Sequence, residues 1–346
     1  MTRITYIQHI SEFEKFINKF NNSVILCDQN SYKHCISLIK LNKTQRIITI
    51  KSGEKNKNFK TLEFIIKQLS NFEANRNTVL INVGGGVICD IGGLAAGLYK
   101  RGIAFVNIPT TLIAMADASH GGKTGINLNN LKNYAGIFSL PSETLIFATF
   151  LKTLQQKHIK SGFAEMLKHG IIADKNYFLQ LLNTKIKNDT ILIDENFGDF
   201  IIKSIEIKNC ITANDFTEQN LRKTLNFGHT IGHALETYFI KKNKTHGECV
   251  ATGIICESYI SLKRGLLNNN DFKTIENAIT TFFKPLKIES EQIEEISKLT
   301  LKDKKNKSKE INCILIKNIG EALFDVEVTE DEIKESIEYY KKSGDS

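Results

Sequence analysis

The stretch TVLINVGGG, residues 78–86, decides the fold of the N-terminal half of the chain. Its first six residues are mostly apolar and partly β-branched, which is typical of a buried strand. Three glycines end the strand, and a helical pattern over residues 87–99 follows at once. A glycine turn into a helix N-terminus presents free N–H groups to an anion such as a phosphate. The stretch therefore indicates a nucleotide-type loop, although Cys89 replaces the last glycine of the G-x-G-x-x-G fingerprint.

Strands and helices alternate on both sides of this stretch. Helices are predicted at residues 11–20 and 60–70, and further strands at 2–7, 23–27, 46–50, 104–108 and 143–148. Such alternation is typical of a parallel sheet with helices on both faces. The stretch 118–136 is polar and glycine-rich, and its length leads us to expect a functional loop.

The pattern becomes helical after residue 155. Helices are predicted at 161–172, 174–184, 198–213, 221–239, 247–264, 270–281, 291–299 and from 330, with a hairpin around Gly320. The length of 346 residues allows two domains of about 150 residues each. We therefore expect an α/β, Rossmann-like nucleotide-binding domain over residues 1–155 and a mainly α-helical domain over residues 156–346.

Composition excludes several classes of protein. A hydrophobic content of 41% and a charged content of 24% are ordinary for a soluble globular protein. The net charge of +8 is spread along the chain, which argues against a nucleic-acid partner and suits small anionic substrates. The N-terminus has no apolar signal region, and no run of eighteen apolar residues predicts a membrane span. Seven cysteines without a C-x-x-C pair favour reduced thiols and a cytoplasmic location.

Three histidines lie close together in LNFGHTIGHALE (225–236) and THGE (245–248). His229 and His233 are four residues apart, so on one helix they share a face and suit a divalent metal with a third ligand from elsewhere. Ordinary core or surface histidines are the alternative. The glutamate of the H-E-x-x-H pattern is missing, which argues against a metalloprotease.

A charged pair lies within the apolar helix SGFAEMLKHGII (161–172). Glu165 and Lys168 are three residues apart and share a helix face. A surface ion pair is one interpretation. The apolar neighbours favour a buried helix, where charged groups need a function.

Nine motifs occur in an order that is typical of one family. They are GGGVICDIGG, LYKRG, IPTTL, DASHGGKTGIN, LKNYAG, SGFAEMLKHG, NLRKTLNFGHTIGHALE, THGE and DKKN. With them the chain resembles the 3-dehydroquinate synthase family from about residue 50 to 320. The resemblance implies a lyase of the shikimate pathway, which leads to aromatic amino acids. Such an enzyme converts 3-deoxy-D-arabino-heptulosonate 7-phosphate to 3-dehydroquinate and phosphate, using catalytic NAD and a divalent metal.

The resemblance also implies roles for individual residues. The zinc or cobalt ligands match Glu165, His229 and His246, which moves His233 to the substrate. The NAD contacts match Asp28, Glu54, Lys57, Gly85, Gly86, Val87, Asp90, Thr110, Thr111, Lys132, Thr153 and Leu154. The substrate contacts match Asp117, Lys123, Asn133, Lys168, Lys208, Arg222, Asn226, His233 and one of Lys304 or Lys305. Arg101 matches an arginine that reaches the neighbouring subunit, which implies a homodimer.

Three other functions compete with this one. Another sugar phosphate cyclase, making 2-epi-5-epi-valiolone or 2-deoxy-scyllo-inosose, keeps the reaction class and changes the substrate. A polyol dehydrogenase of the same fold would accumulate NADH. A metal-binding protein without catalysis would not need so many charged pocket residues. The family motifs favour the carboxylated substrate.

Overall fold

A computed structural model describes residues 2–42, 45–129, 131–239, 242, 244–301 and 311–344. The chain forms two compact units, Met1–Gln155 and Gln156–Ser346, which we call unit 1 and unit 2. Within the described ranges, we find no helix with the length and apolar character needed to traverse a lipid bilayer.

Unit 1 is built on a parallel sheet. Its strands and hairpin strands are β1 Arg3–Ile7, β2 Ser23–Asp28, β3 Arg46–Ile50, β4 Val79–Gly84, β5 Phe105–Pro109, β6 Lys123–Leu128, β7 Leu131–Phe138 and β8 Glu143–Phe147. The sheet has the order β1–β8–β5–β4–β2–β3, and each neighbouring pair is parallel. The predicted strands of unit 1 are therefore all present, with ends shifted by at most one residue.

Helices of unit 1 follow the strands in sequence. They are α1 Ile10–Asn18, α2 Gln29–His34, α3 Phe59–Asn71 and α4 Gly86–Leu98. The sequence did not predict the short α2. In α3, Leu62, Ile65 and Leu69 recur at helical spacing and are buried. Helix α4 lies so close to β4 that a Cβ atom added at Gly92 would be only 2.0 Å from Asn82 Oδ1. Glycine at position 92 therefore permits this packing.

The stretch 118–136 differs from the expected loop. Strands β6 and β7 pair antiparallel through it, with Gly125 opposite Gly136. A Cβ atom at Gly136 would lie 2.0 Å from the Thr124 carbonyl oxygen, so this crossing needs glycine. The glycines that suggested a loop are therefore the residues that let two strands approach.

Unit 2 is mainly helical. Its helices are α5 Gln156–Ala173, α6 Lys175–Leu181, α7 Phe197–Asn214, α8 His229–Tyr238, α9 His246–Lys263, α10 Asn269–Phe282, α11 Ser290–Thr300 and α12 Glu330–Gly344. Two antiparallel pairs accompany them, β9 Ile186–Lys187 with β10 Thr190–Ile191, and β11 Ile311–Asn318 with β12 Glu321–Val328. The short β9–β10 pair was not predicted. Helix α9 contacts α5, α8, α10 and α12, so it forms the centre of the unit.

The helix predicted over 221–239 is interrupted. A 3₁₀ segment, Leu221–Asn226, comes first, and α8 begins only at His229. Gly228 separates them with a φ of +76°, in the left-handed region that favours glycine. The apolar spacing alone could not show this break.

The cysteines are free thiols, and six of the seven are buried. Cys210 on α7 is the exposed one. Burial raises the pKa of the Cys27 thiol to about 11, as expected for a side chain that serves as a small apolar group.

Candidate metal and substrate site

Three candidate ligands from three helices of unit 2 converge. Glu165 lies on α5, while His229 and His246 are the first residues of α8 and α9. Nε2 of His246 lies 3.2 Å from Glu165 Oε1, and Nε2 of His229 lies 3.5 Å from the same oxygen. Their ligand atoms all lie within 4.8 Å of one another. One carboxylate and two imidazoles at this spacing suit a divalent ion with positions left for substrate.

A hydrogen bond at Nδ1 orients each imidazole. Nδ1 of His229 donates to the Phe227 carbonyl oxygen at 3.0 Å. Nδ1 of His246 donates to Oε2 of Glu236 at 3.4 Å. In the neutral form of each ring, Nε2 then carries the lone pair that a metal can take, which is the usual arrangement of ligating histidines and their outer partners.

His233, Glu236 and His246 form a second group of potential ligand atoms within 4.8 Å. This group shares His246 with the first. Because Nε2 of His246 faces Glu165 and its Nδ1 faces Glu236, Glu236 acts as the hydrogen-bond acceptor for Nδ1 and leaves Nε2 to the first group. The His233 ring centroid lies 5.2 Å from that of His229, which places His233 beside the ligands.

Burial and charge shift the pKa values of the three ligands in different directions. Burial lowers the pKa of His229 to about 4, although Glu165 opposes the shift. Burial also lowers the pKa of His246, but hydrogen bonds to Glu165 and Glu236 outweigh it and raise the pKa to about 9. Burial raises the pKa of Glu165, yet Lys168 and His229 hold it well below its usual value. Since a metal ligand must be deprotonated, a divalent ion has to displace the proton of His246.

Lys168 is a buried cation beside the candidate ligands. Its ammonium group contacts Glu165, and its side chain is 2% exposed. The sequence predicted a buried helix here, and α5 is buried along most of its length. A buried cation next to a carboxylate can bind the anionic part of a substrate.

A loop held by Asp215 carries further predicted substrate residues. Asp215 accepts hydrogen bonds from the backbone N–H groups of Gln219, Asn220 and Arg222, at 2.9, 2.7 and 3.0 Å. Arg222 is buried, and its guanidinium donates to the Phe216 carbonyl oxygen at 2.5 Å. The loop therefore fixes the backbone and side chain of Arg222.

Two other predicted substrate residues lie on neighbouring elements of unit 2. Asn226 ends the 3₁₀ segment, and its amide donates to Glu218 at 2.8 Å. Lys208 is buried on α7. Lys304 and Lys305 lie outside the described residues.

In unit 1 the structure brings three predicted residues into contact. The buried ammonium of Lys57 contacts both Asp90 and Asn133. The resemblance assigned Lys57 and Asp90 to NAD and Asn133 to the substrate. Glu54 joins them through Asn127, which donates to Glu54 at 2.8 Å and accepts from the Asn133 N–H at 2.8 Å.

The glycine turn at the end of β4 is a candidate dinucleotide cradle. Gly85 precedes α4, and a Cβ atom there would lie 3.1 Å from Thr111 Cγ2. The Thr110 N–H donates to the Gly84 carbonyl oxygen at 2.9 Å, which joins the ends of β4 and β5. Gly86 and Val87 open the helix. The absence of a side chain at Gly85 suits close approach by a phosphate.

The other predicted residues of unit 1 are placed on several elements. Asp28 caps α2 by accepting the Ser31 N–H at 2.8 Å. Arg101 is exposed and has a φ of +66°. The remaining five are Asp117 in a π-helical turn, Lys123 at the start of β6, Lys132 on β7, and Thr153 and Leu154 at the end of a 3₁₀ segment.

Sequence reasoning missed the residues that hold the candidate ligands and Arg222 in place. Glu236, Asp215 and Glu257 were not singled out. Glu236 lay within a quoted motif, three residues after His233, and could have been noticed from that spacing. Asp215 and Glu257 bind backbone N–H groups, which leave no mark in the sequence.

The chain matches known proteins over most of its length. Residues 47–161 match the family model described as 3-dehydroquinate synthase N-terminal, and residues 162–306 match 3-dehydroquinate synthase C-terminal. A 3-dehydroquinate synthase from Parabacteroides distasonis is 38% identical over 96% of this chain and 96% of its own. One from Campylobacter jejuni subsp. doylei is 36% identical over 95% and 94%.

Solved structures confirm the predicted fold class. A 2-deoxy-scyllo-inosose synthase complexed with carbaglucose-6-phosphate, NAD+ and Co2+ has a TM-score of 0.83 at 23% identity, covering 96% of this chain and 95% of its own. A 2-epi-5-epi-valiolone synthase from Streptomyces hygroscopicus subsp. jinggangensis, with NAD+ and Zn2+ bound, has a TM-score of 0.79 at 23% identity, covering 99% and 97%. Sequence identity and both family models agree, and the chain belongs to the 3-dehydroquinate synthase family.

Proposed function

We propose that the chain is a 3-dehydroquinate synthase, a phosphate-eliminating lyase. It converts 3-deoxy-D-arabino-heptulosonate 7-phosphate to 3-dehydroquinate and phosphate. The observation that carries the proposal is the convergence of Glu165, His229 and His246, with Lys168 beside them, in a chain of this family. Zinc or cobalt suits one carboxylate and two imidazoles.

The two cofactors supply chemistry that side chains lack. A divalent ion held by Glu165, His229 and His246 supplies Lewis acidity toward negative charge that develops on a substrate oxygen. Bound NAD supplies reversible hydride transfer, so the complete reaction is redox-neutral.

The residues of unit 2 bind and orient an anionic substrate. A carboxylate and a phosphate both need cations, and Lys168, Lys208 and Arg222 are buried, where their charges are weakly screened. The Asp215 loop restrains Arg222, so the Arg222 side chain loses little conformational entropy when an anion binds. Asn226 and His233 offer hydrogen bonds to hydroxyl groups close to the ligands.

The residues of unit 1 support NAD binding. Gly85 and Gly86 leave room for the pyrophosphate at the start of α4. The contacts among Lys57, Asp90 and Asn133 prearrange polar groups around that helix. The other predicted contacts, from Asp28 to Leu154, remain part of the proposal.

Substrate choice separates this function from that of other cyclases. Purified protein with NAD and zinc is offered the heptulosonate phosphate or sedoheptulose 7-phosphate, which lacks the carboxylate. We expect phosphate release only from the first, because the buried cations are suited to two anionic ends. Release only from sedoheptulose 7-phosphate would reject the proposed substrate. NADH that accumulates in step with turnover would instead indicate a polyol dehydrogenase.

A homodimer belongs to the same proposal, and exposed apolar side chains on one strand of unit 1 support it. Leu131, Tyr134, Ile137 and Phe138 on β7 are 36–54% exposed. Several large apolar side chains exposed on one short strand are typical of an interface. We expect sedimentation to give a dimer, and Tyr134→Glu to weaken it. A monomeric parent protein would reject this part. The cytoplasmic location stays a prediction.

A further inference from the structure

Glu257 is a buried carboxylate that no step of the proposed function uses. It lies on α9 and is 0% exposed. Oε2 accepts the Gly228 N–H at 2.7 Å, and Oε1 accepts the Ile231 N–H at 3.2 Å. Both donors belong to the start of α8. A carboxylate is costly to bury, so these charge-assisted hydrogen bonds need a function.

The first turn of α8 has no cap of its own. Gly228 occupies the N-cap position and has no side chain to accept a hydrogen bond. The first intrahelical bond, from the Gly232 N–H to the Gly228 carbonyl oxygen, leaves the earlier N–H groups without helical partners. Glu257 satisfies two of them from another helix, and its negative charge suits the positive end of the helix dipole.

These two hydrogen bonds lie on either side of His229. Gly228 precedes this candidate ligand and Ile231 follows it by two residues. The His229 ring is also fixed by the Phe227 carbonyl oxygen at 3.0 Å. The backbone that carries His229 is therefore held on both sides, and its Nε2 can stay aimed at Glu165.

Helix α9 also carries the second candidate ligand, His246, and contacts α5, which carries the third, Glu165. It begins with His246, and the next residue, Gly247, donates its N–H to Ser161 Oγ on α5 at 3.1 Å. Ser161 lies one turn before Glu165. A Cβ atom at Gly253 would lie 2.0 Å from the Gly228 carbonyl oxygen, so α8 and α9 are in direct backbone contact.

We infer that Glu257 is a positioning residue of the metal centre, which it serves by holding the first turn of α8 and so the imidazole of His229. This inference rests on the proposed metal centre. Outer partners of ligating residues commonly change metal affinity by about 10–100-fold. We expect substitution of Glu257 to lower zinc affinity by the same factor, although Glu257 acts through backbone N–H groups.

The test is zinc affinity of the metal-free full-length protein, measured by competition with a chromogenic chelator. Glu257→Gln keeps the shape, but its NH₂ group faces one of the N–H donors. We expect zinc affinity to fall about 10–100-fold. Glu276→Gln is the matched control, because Glu276 is another buried helical carboxylate of unit 2 and bonds Lys273 and Tyr339. The control should keep parental affinity.

A double variant separates positioning from general loosening. In a His229→Ala background, Glu257→Gln should change the residual zinc affinity by less than about twofold, since its route to the metal is gone. An equal further loss would overturn the inference. Parental affinity in Glu257→Gln would also overturn it and leave the metal centre intact, whereas a parent protein without zinc affinity would reject the centre itself. If Glu257→Gln does not fold, Glu257→Asp keeps the charge with a shorter reach, and parental affinity there overturns the inference too.

Discussion

At the scale of single residues, the candidate site depends on pairs that fix one another. Lys168 and Glu165 are both almost completely buried, and each compensates the charge of the other. His246 is held between Glu165 and Glu236. Removal of one member of such a pair leaves the other charge buried and uncompensated. The loss of folding stability is then larger than the loss from breaking an exposed ion pair.

The first prediction concerns Lys168. We expect Lys168→Met to lower the rate of phosphate release at least about 100-fold, because the buried cation that we propose as a substrate contact is lost. Methionine fills a similar volume, so zinc and NAD should still bind. Turnover and zinc content are measured on the same sample. Lys67→Met is the control, since Lys67 forms an exposed pair with Glu63. Normal turnover in Lys168→Met would remove Lys168 from the site.

The resemblance supplied the candidate ligands at this scale, but it did not supply their supports. Glu165, His229 and His246 could be named because motifs carry side-chain identity. Glu257 is 29 residues from Gly228 in sequence and binds only its backbone. Every residue except proline has a backbone N–H, so no sequence pattern could indicate that pairing.

At the scale of elements, α9 and α12 are joined by buried and half-buried polar groups. Tyr340 on α12 accepts the Leu286 N–H at 2.8 Å and a hydrogen bond from Thr252 at 3.1 Å. Arg264, which follows α9, donates to Glu332 of α12 through Nε and an Nη, at 2.6 and 2.7 Å. Glu332 also accepts the Thr329 N–H at 2.8 Å and so caps its own helix.

Removal of the Tyr340 hydroxyl should destabilise unit 2. Tyr340→Phe leaves the buried Leu286 N–H without this acceptor, which costs about 1–3 kcal/mol. A unit of this size should then melt roughly 2–4 °C lower for each kcal/mol. Calorimetry checks this result, with Tyr32→Phe as a control because Tyr32 is 46% exposed. Equal melting temperatures for Tyr340→Phe and the parent would contradict it.

The Arg264–Glu332 pair predicts a pH dependence. The hydrogen bonds from Arg264 lower the pKa of Glu332 to about 2 from an ordinary 4.5. A lowered carboxyl pKa stabilises the fold above the unfolded value, and the contribution is lost as pH falls toward the folded value. Glu332→Gln should therefore melt below the parent at pH 7, and the difference should shrink between pH 5 and pH 3. A difference that stays constant over this range would argue against the ion pair.

Prediction of elements succeeded where the apolar pattern was unambiguous. The strands of the parallel sheet and α5 carry continuous apolar runs, and their existence was correctly predicted. The β6–β7 hairpin was missed because the close contact of Gly125 and Gly136 requires glycines that look like loop residues. The break before α8 was missed because Leu225, Ile231 and Leu235 keep helical spacing across Gly228.

At the scale of the whole molecule, we expect zinc binding to raise the melting temperature of the protein. Zinc is taken to bind only the folded protein. At a zinc concentration one hundred times its Kd, it raises the free energy of unfolding by about 2.7 kcal/mol. For a unit of this size, that corresponds to a rise in melting temperature of roughly 5–10 °C. Calorimetry of chelator-treated protein with and without zinc measures the effect. Calcium, which prefers oxygen ligands, is the matched control ion. An equal rise with calcium would contradict a site built from two imidazoles.

Helix α7 places two reactive groups on different sides of its axis. Lys208 is buried, whereas Cys210, two residues later and about 200° further around the helix, is exposed. The other thiols are buried, so a maleimide dye should label Cys210 first. The unaltered chain thus offers one attachment point for a fluorescent reporter on the helix that holds a proposed anion-binding lysine, and its emission could follow occupancy in real time.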